Sequence, residues 1–74
     1  MTGVCKGDRV SWVWGAGRGV GAVRSVSPRR TKRRIKGSEI TRNGTKDDPA
    51  LYIEQDDGDR VLKLASEVRR IGRG

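Results

Sequence analysis

The stretch ALYIEQDDGDRVLKL, residues 50–64, reads as a β-hairpin. In Ala50-Leu51-Tyr52-Ile53-Glu54, Leu51 and Ile53 face one way and Tyr52 and Glu54 the other, the two-residue period of a strand. Asp57-Gly58 reads as a type I′ turn, whose two central positions both need positive φ. Arg60-Val61-Leu62-Lys63-Leu64 then returns antiparallel. In the following Ala65-Ser66-Glu67-Val68-Arg69-Arg70-Ile71, the helical spacing of Leu64, Val68 and Ile71 predicts a short C-terminal helical turn.

Upstream, Lys6-Gly7-Asp8 reads as a turn feeding Arg9-Val10-Ser11-Trp12-Val13-Trp14, with Val10, Trp12 and Trp14 on one face. Gly15 to Gly19 reads as a flexible loop. A second strand, Val20 to Val26, contains Gly21, which predicts a bulge or tight bend. Ser27-Pro28 interrupts that ladder, because proline has no N–H to donate. Residues 29–49 are basic and turn-rich, with Gly37-Ser38 and Asn43-Gly44 as turn signals, and predict an irregular loop or hairpin held loosely to the rest. About five short antiparallel strands joined by tight turns describe an all-β protein, a small barrel rather than a sandwich or an α/β layer. One domain is expected over residues 6–71, with flexible termini at 1–5 and 72–74.

Composition narrows the function. A chain of 74 residues with 32% apolar residues and three aromatics, Trp12, Trp14 and Tyr52, needs nearly all of them for its core. That argues against a water-excluding active site or a small-molecule substrate. There is no histidine, the commonest general base and metal ligand. No nucleophile with a base, carboxylate pair or zinc-ligand set is visible, so no enzyme activity, cofactor or metal is expected. Asp56, Asp57 and Asp59 around Gly58 lack the remaining ligands of a calcium loop and read as a charged hairpin tip. Gly17-x-Gly19-x-x-Ala22 fits a dinucleotide fingerprint on paper, but a strand follows where a helix is needed. Cys5 has no partner for an internal disulfide, and the N-terminus has no apolar signal segment, which together predict a cytoplasmic location. No apolar run is long enough to span a membrane.

The run Lys6-Gly7-Asp8-Arg9-Val10-Ser11-Trp12, the Gly19–Val26 strand, Ile35-Lys36-Gly37, Asp48-Pro49 and Ile53-Glu54-Gln55-Asp56-Asp57-Gly58 fall in an order that resembles the hypervirulence-associated protein Tudor-domain family. The resemblance spans about residues 6–71 and implies an SH3-like, Tudor-type barrel. It implies no substrate, cofactor or catalytic residue. One departure stands out: where the family pattern has an aromatic residue directly after the Asp-Pro-x step, this chain has Leu51, with Tyr52 one place later. A one-residue shift turns a side chain to the opposite face of a strand. Lys6-Gly7-Asp8 through Arg18-Gly19-Val20-Gly21-Ala22-Val23 also resembles the KOW motif of ribosomal and transcription proteins, with a shorter spacing, and supports an RNA-binding alternative.

Seventeen Lys and Arg against nine Asp and Glu leave a net charge of +8, which favours anionic partners, nucleic acid first. The densest run holds Arg29, Arg30, Lys32, Arg33, Arg34 and Lys36, and Arg18 and Arg24 are candidates to extend it. Arginine forks suit phosphate oxygens. The blander reading is a solvated loop partly neutralised by Asp47 and Asp48. Trp12, Trp14 and Tyr52 are candidates for an aromatic surface or a cage around a methylated ammonium, although Trp12 is in phase with Val10 and suits the core. Two readings therefore stand: a nucleic-acid-binding module of low sequence specificity, or a protein- or peptide-binding module using Trp14, Tyr52 and the barrel edge.

Overall fold

The structure, a computed structural model, describes residues 3–73 of the chain. Residues 1, 2 and 74 of the expected flexible termini lie outside the described residues. Among the described residues seven antiparallel strands form two sheets: β1 (Asp8–Trp14), β2 (Gly17–Ser27), β5 (Ala50–Gln55), β6 (Arg60–Leu64) and β7 (Arg69–Arg73) in the order β6-β5-β2-β1-β7, and β3 (Arg30–Ile35) with β4 (Ser38–Asn43).

The chain enters β1 through the expected turn, in which Asp8 N–H donates to the Cys5 carbonyl (3.0 Å). The Asp8 carboxylate accepts the Cys5 N–H in return (2.9 Å). The expected loop at 15–19 is instead a two-residue turn, Gly15-Ala16, closed by the pair Trp14↔Gly17. Gly15 at φ 51° supplies the positive φ that the first position of a type II′ turn requires.

Strand β2 belongs to both halves of the sheet. It pairs with β1 from Gly17 to Ala22 and with β5 from Gly21 to Ser27, with a register shift between Val23 and Ser25. The irregularity thus falls just beyond Gly21, whose own role is close approach: a Cβ there would lie 2.6 Å from the Glu54 carbonyl oxygen and 2.7 Å from Ile53 Cγ2. Val10, Trp12, Val23, Leu51, Ile53 and Ala65 form the core, and Val4, Val26, Val61 and Val68 pack against it.

Other local expectations need correction. Gly58 has a positive φ of 93°, but Asp57 does not, so the β5–β6 connection is not a type I′ turn. Gly58 N–H bonds to the Gln55 carbonyl and Gln55 N–H to the Asp59 carbonyl, a three-residue loop with glycine at its left-handed position. The expected short C-terminal helical turn is present as a 3₁₀ turn, Ala65–Glu67. The chain then becomes β7, because the free edge of β1 offers a row of backbone partners that a second helical turn would leave unpaired. That ladder reaches Arg73, past the expected domain end at 71.

A further correction concerns residues 29–49. Strands β3 and β4 pair regularly from Arg30↔Asn43 to Ile35↔Ser38. Their turn is Lys36-Gly37, with φ 51° and 78°, the two positive values of a type I′ turn. Asn43-Gly44, the stronger turn dipeptide on paper, only ends β4. Gly44 N–H donates to the Arg29 carbonyl, and a Cβ at Gly44 would sit 2.6 Å from Ser27 O and Ala50 N. The hairpin is also tied down: Arg33 lies over the Tyr52 ring, Lys36 pairs with Asp59, and Arg42 pairs with Glu67.

Candidate functional site

Residues directly opposite in an antiparallel ladder share a face, so register sorts the basic cluster. Thr31, Arg33 and Ile35, with Arg42, Ile40 and Ser38, form one face of the hairpin; Arg30, Lys32 and Arg34, with Asn43, Thr41 and Glu39, form the other. Thr31 is buried, and Arg33 Cζ sits 5.4 Å from the Tyr52 ring centre, so the first face lies against the main sheet. The second face carries three exposed cations in a row. Alternate residues on a strand are about 6.7 Å apart, which spaces these charges evenly along a line.

Ion pairs decide which cations remain available. Six form among the described residues: Arg9–Asp56, Arg24–Glu54, Lys32–Glu39, Lys36–Asp59, Arg42–Glu67 and Arg70–Asp8. Arg29, Arg30 and Arg34 take part in none of them. Lys32 meets Glu39 only at 3.8 Å. Asp48 makes none of these ion pairs; its carboxylate accepts the Ser66 N–H and hydroxyl, both at 2.7 Å. The three aspartates of the β5–β6 loop also point to different partners: Asp56 to Arg9, Asp59 to Lys36, and Asp57 to the Asp59 N–H.

Arg18 and Arg24 are placed differently from the row. Arg24 Nε donates to Glu54 Oε1 at 2.7 Å across β2 and β5. Arg18 shares a cleft of about 180 Å³ with Trp12, Glu67 and Arg69 on the β1 side. The three aromatics do not converge either. Trp12 is 5% exposed and belongs to the core, Trp14 is 61% exposed at the end of β1, and Tyr52 lies on β5 beneath Arg33. The one-residue shift after Pro49 has the expected consequence, with Leu51 fully buried in the core and Tyr52 on the opposite face.

Sequence reasoning missed a groove of about 400 Å³ between the hairpin and β6. Ile35, Ile40, Val61 and Leu62 supply its apolar surface; Arg42, Arg60 and Lys63 bring positive charge, and Ser38 and Gln55 a hydroxyl and an amide. Two ion pairs clasp it: Lys36 Nζ to Asp59 at 2.8 Å, and Arg42 Nε to Glu67 at 3.3 Å. The hydrogen bond that Lys36 donates to the Asp59 carboxylate, then the charge of that carboxylate, raises the Lys36 pKa above its ordinary 10.5. Glu67 also accepts the Leu64 N–H at 2.7 Å, which fixes it at the start of the 3₁₀ turn. A smaller cleft lined by Arg34, Tyr52 and Gly58 shares Ile35, Lys36, Asp59 and Arg60 with the groove. Nothing local in the sequence marks these residues, because they come from strands some twenty positions apart.

Among the described residues, no three His, Cys, Asp or Glu side chains gather as a metal site, and no helix is long and apolar enough to cross a membrane. Compared with known proteins, the chain matches one family model, described as hypervirulence associated proteins TUDOR domain, over residues 7–68. No curated protein and no solved structure matched it.

Proposed function

The chain belongs to the hypervirulence-associated protein Tudor-domain family, and from that premise we propose that this small binding module is non-enzymatic and grips the phosphate backbone of a nucleic acid, with little sequence specificity, through the outer face of its β3–β4 hairpin. The observation that carries this reading is the row Arg30, Lys32 and Arg34, flanked by Arg29, with the three arginines outside every ion pair among the described residues. Cations on a regular strand lose little side-chain freedom when a linear polyanion lies along them, and each phosphate neutralised releases counterions. A net charge of +8 adds long-range attraction that speeds encounter. The exposed free thiol of Cys5 suits a reducing compartment, which supports a cytoplasmic module.

The test is a salt titration of oligonucleotide binding for wild type and Arg30→Ala/Arg34→Ala. The double variant should weaken binding to all sequences alike and make the log K against log salt slope shallower by about 0.9 per arginine on duplex, or about 0.7 on single strands. Unchanged affinity and slope would refute the reading.

A second reading has its own observation. Trp14, 61% exposed at the end of β1, leaves an indole ring uncovered, which suits a protein partner. It requires salt-tolerant binding that Trp14→Ala abolishes.

A further inference from the structure

The groove between β6 and the β3–β4 hairpin is not needed for phosphate contact on the hairpin's outer face, yet it adjoins that face. We propose that it holds one unstacked nucleobase of a bound single strand, with the flanking phosphates on Lys63 at one side and on Arg60 and Arg34 at the other. The inference rests on the nucleic-acid reading and deepens it from a polyanion site to a single-strand site.

Size, chemistry and position argue for this occupant. A volume of about 400 Å³ falls within the range of small-ligand pockets. Aliphatic side chains at 35, 40, 61 and 62 give a flat heterocycle an apolar surface, and Ser38 and Gln55 can donate to or accept from its polar edge. Arg60 and Lys63 take part in no ion pair among the described residues, so an anion beside the groove meets uncompensated charge. Arg34 and Arg60 line the same adjoining cleft, which makes the outer row and the groove one track around the Lys36–Asp59 bridge.

An extended peptide fits less well. Strand β6 is an edge strand of five residues, and alternate residues point their backbone groups away from β5. Gln55 and Asp59 bond directly, so Val61 and Lys63 face β5 in turn and Arg60, Leu62 and Leu64 face outward. Glu67 already occupies the Leu64 N–H. Only Arg60 and Leu62 remain, too few to register an added strand. A base needs no such ladder, and a duplex would keep its bases out of the groove.

The test uses the full chain at low salt with three probes: an eight-nucleotide single strand, the same strand with abasic sites, and a duplex of equal length. The intact strand should bind about tenfold more tightly than the abasic one. Ile40→Phe, which narrows the groove, should bring intact-strand binding down toward that of the abasic strand. Amide shifts on intact-strand binding should appear at Ile40, Val61 and Lys63 as well as on β3. Equal affinity for intact and abasic strands by wild type overturns the groove proposal, while loss of binding in Arg30→Ala/Arg34→Ala would still uphold the phosphate row. Failure of all three probes to bind overturns both. The wild-type comparison decides the matter even if Ile40→Phe does not fold.

Discussion

Trp12 holds its place because position 19 has no side chain. A Cβ built on Gly19 would lie 2.3 Å from the indole, so Gly19→Ala must displace either the ring or strand β2. Urea unfolding should show a loss of about 2 kcal/mol for this variant, an overpacking cost. Trp14→Ala, by contrast, should leave stability within about 0.5 kcal/mol, since the ring is mostly in water. The sequence places both tryptophans on one face; it does not say where the face stops being covered. Lys36 adds a pH signature at the same scale. Its folded pKa is raised by the hydrogen bond to Asp59, so the contribution of that pair is fully present below 10.5 and is lost as pH rises through the folded value. Following the Lys36 side-chain resonances and stability together above pH 10.5 should show both changing there, and Lys36→Met should remove the dependence.

The β3–β4 hairpin shows most clearly how an element departs from its dipeptide signals. Asn43-Gly44 and Asp57-Gly58 are the recognised type I′ pairs, yet neither forms that turn, while Lys36-Gly37 does. Asp57 accepts the Asp59 N–H through its own carboxylate, a local bond that favours the longer loop. Gly44 is drawn into close packing against Ser27, Arg29 and Ala50. Lys36 adopts the left-handed region because six paired residues on each side and the bond to Asp59 over-determine it. Gly37, at φ 78°, is the position where a side chain costs most. Gly37→Ala should destabilise the hairpin by about 1–2 kcal/mol. Hydrogen exchange should then show protection lost over residues 30–43 and kept in β1, β2 and β5, since the hairpin forms a sheet of its own.

At the scale of the whole molecule, excess positive charge outweighs every other long-range effect. The +8 excess sits within extents of 29 × 28 × 21 Å. At 0.01 M salt the Debye length is about 30 Å, so every charge feels every other; at 0.15 M it is about 8 Å, so mainly near neighbours interact. The melting temperature should therefore rise with salt over that range, because exposed ion pairs contribute little and relief of self-repulsion outweighs their weakening. A fall in melting temperature would mean that the six ion pairs matter more than the net charge.

From the residues alone came the all-β class and the family resemblance, because a strand's period of two and the order of short motifs along the chain are local properties. The shared face of Leu51 and Ile53, and the core position of Trp12 in phase with Val10, were readable from their neighbours alone. Tertiary structure decided which cations are free, since Glu54 reaches back to Arg24, Asp56 to Arg9 and Asp59 to Lys36. It likewise made β7 a strand, by presenting it with the open edge of β1. The groove exists only because β3–β4 folds against β6, and no local pattern encodes how two separate sheets come to rest on one another.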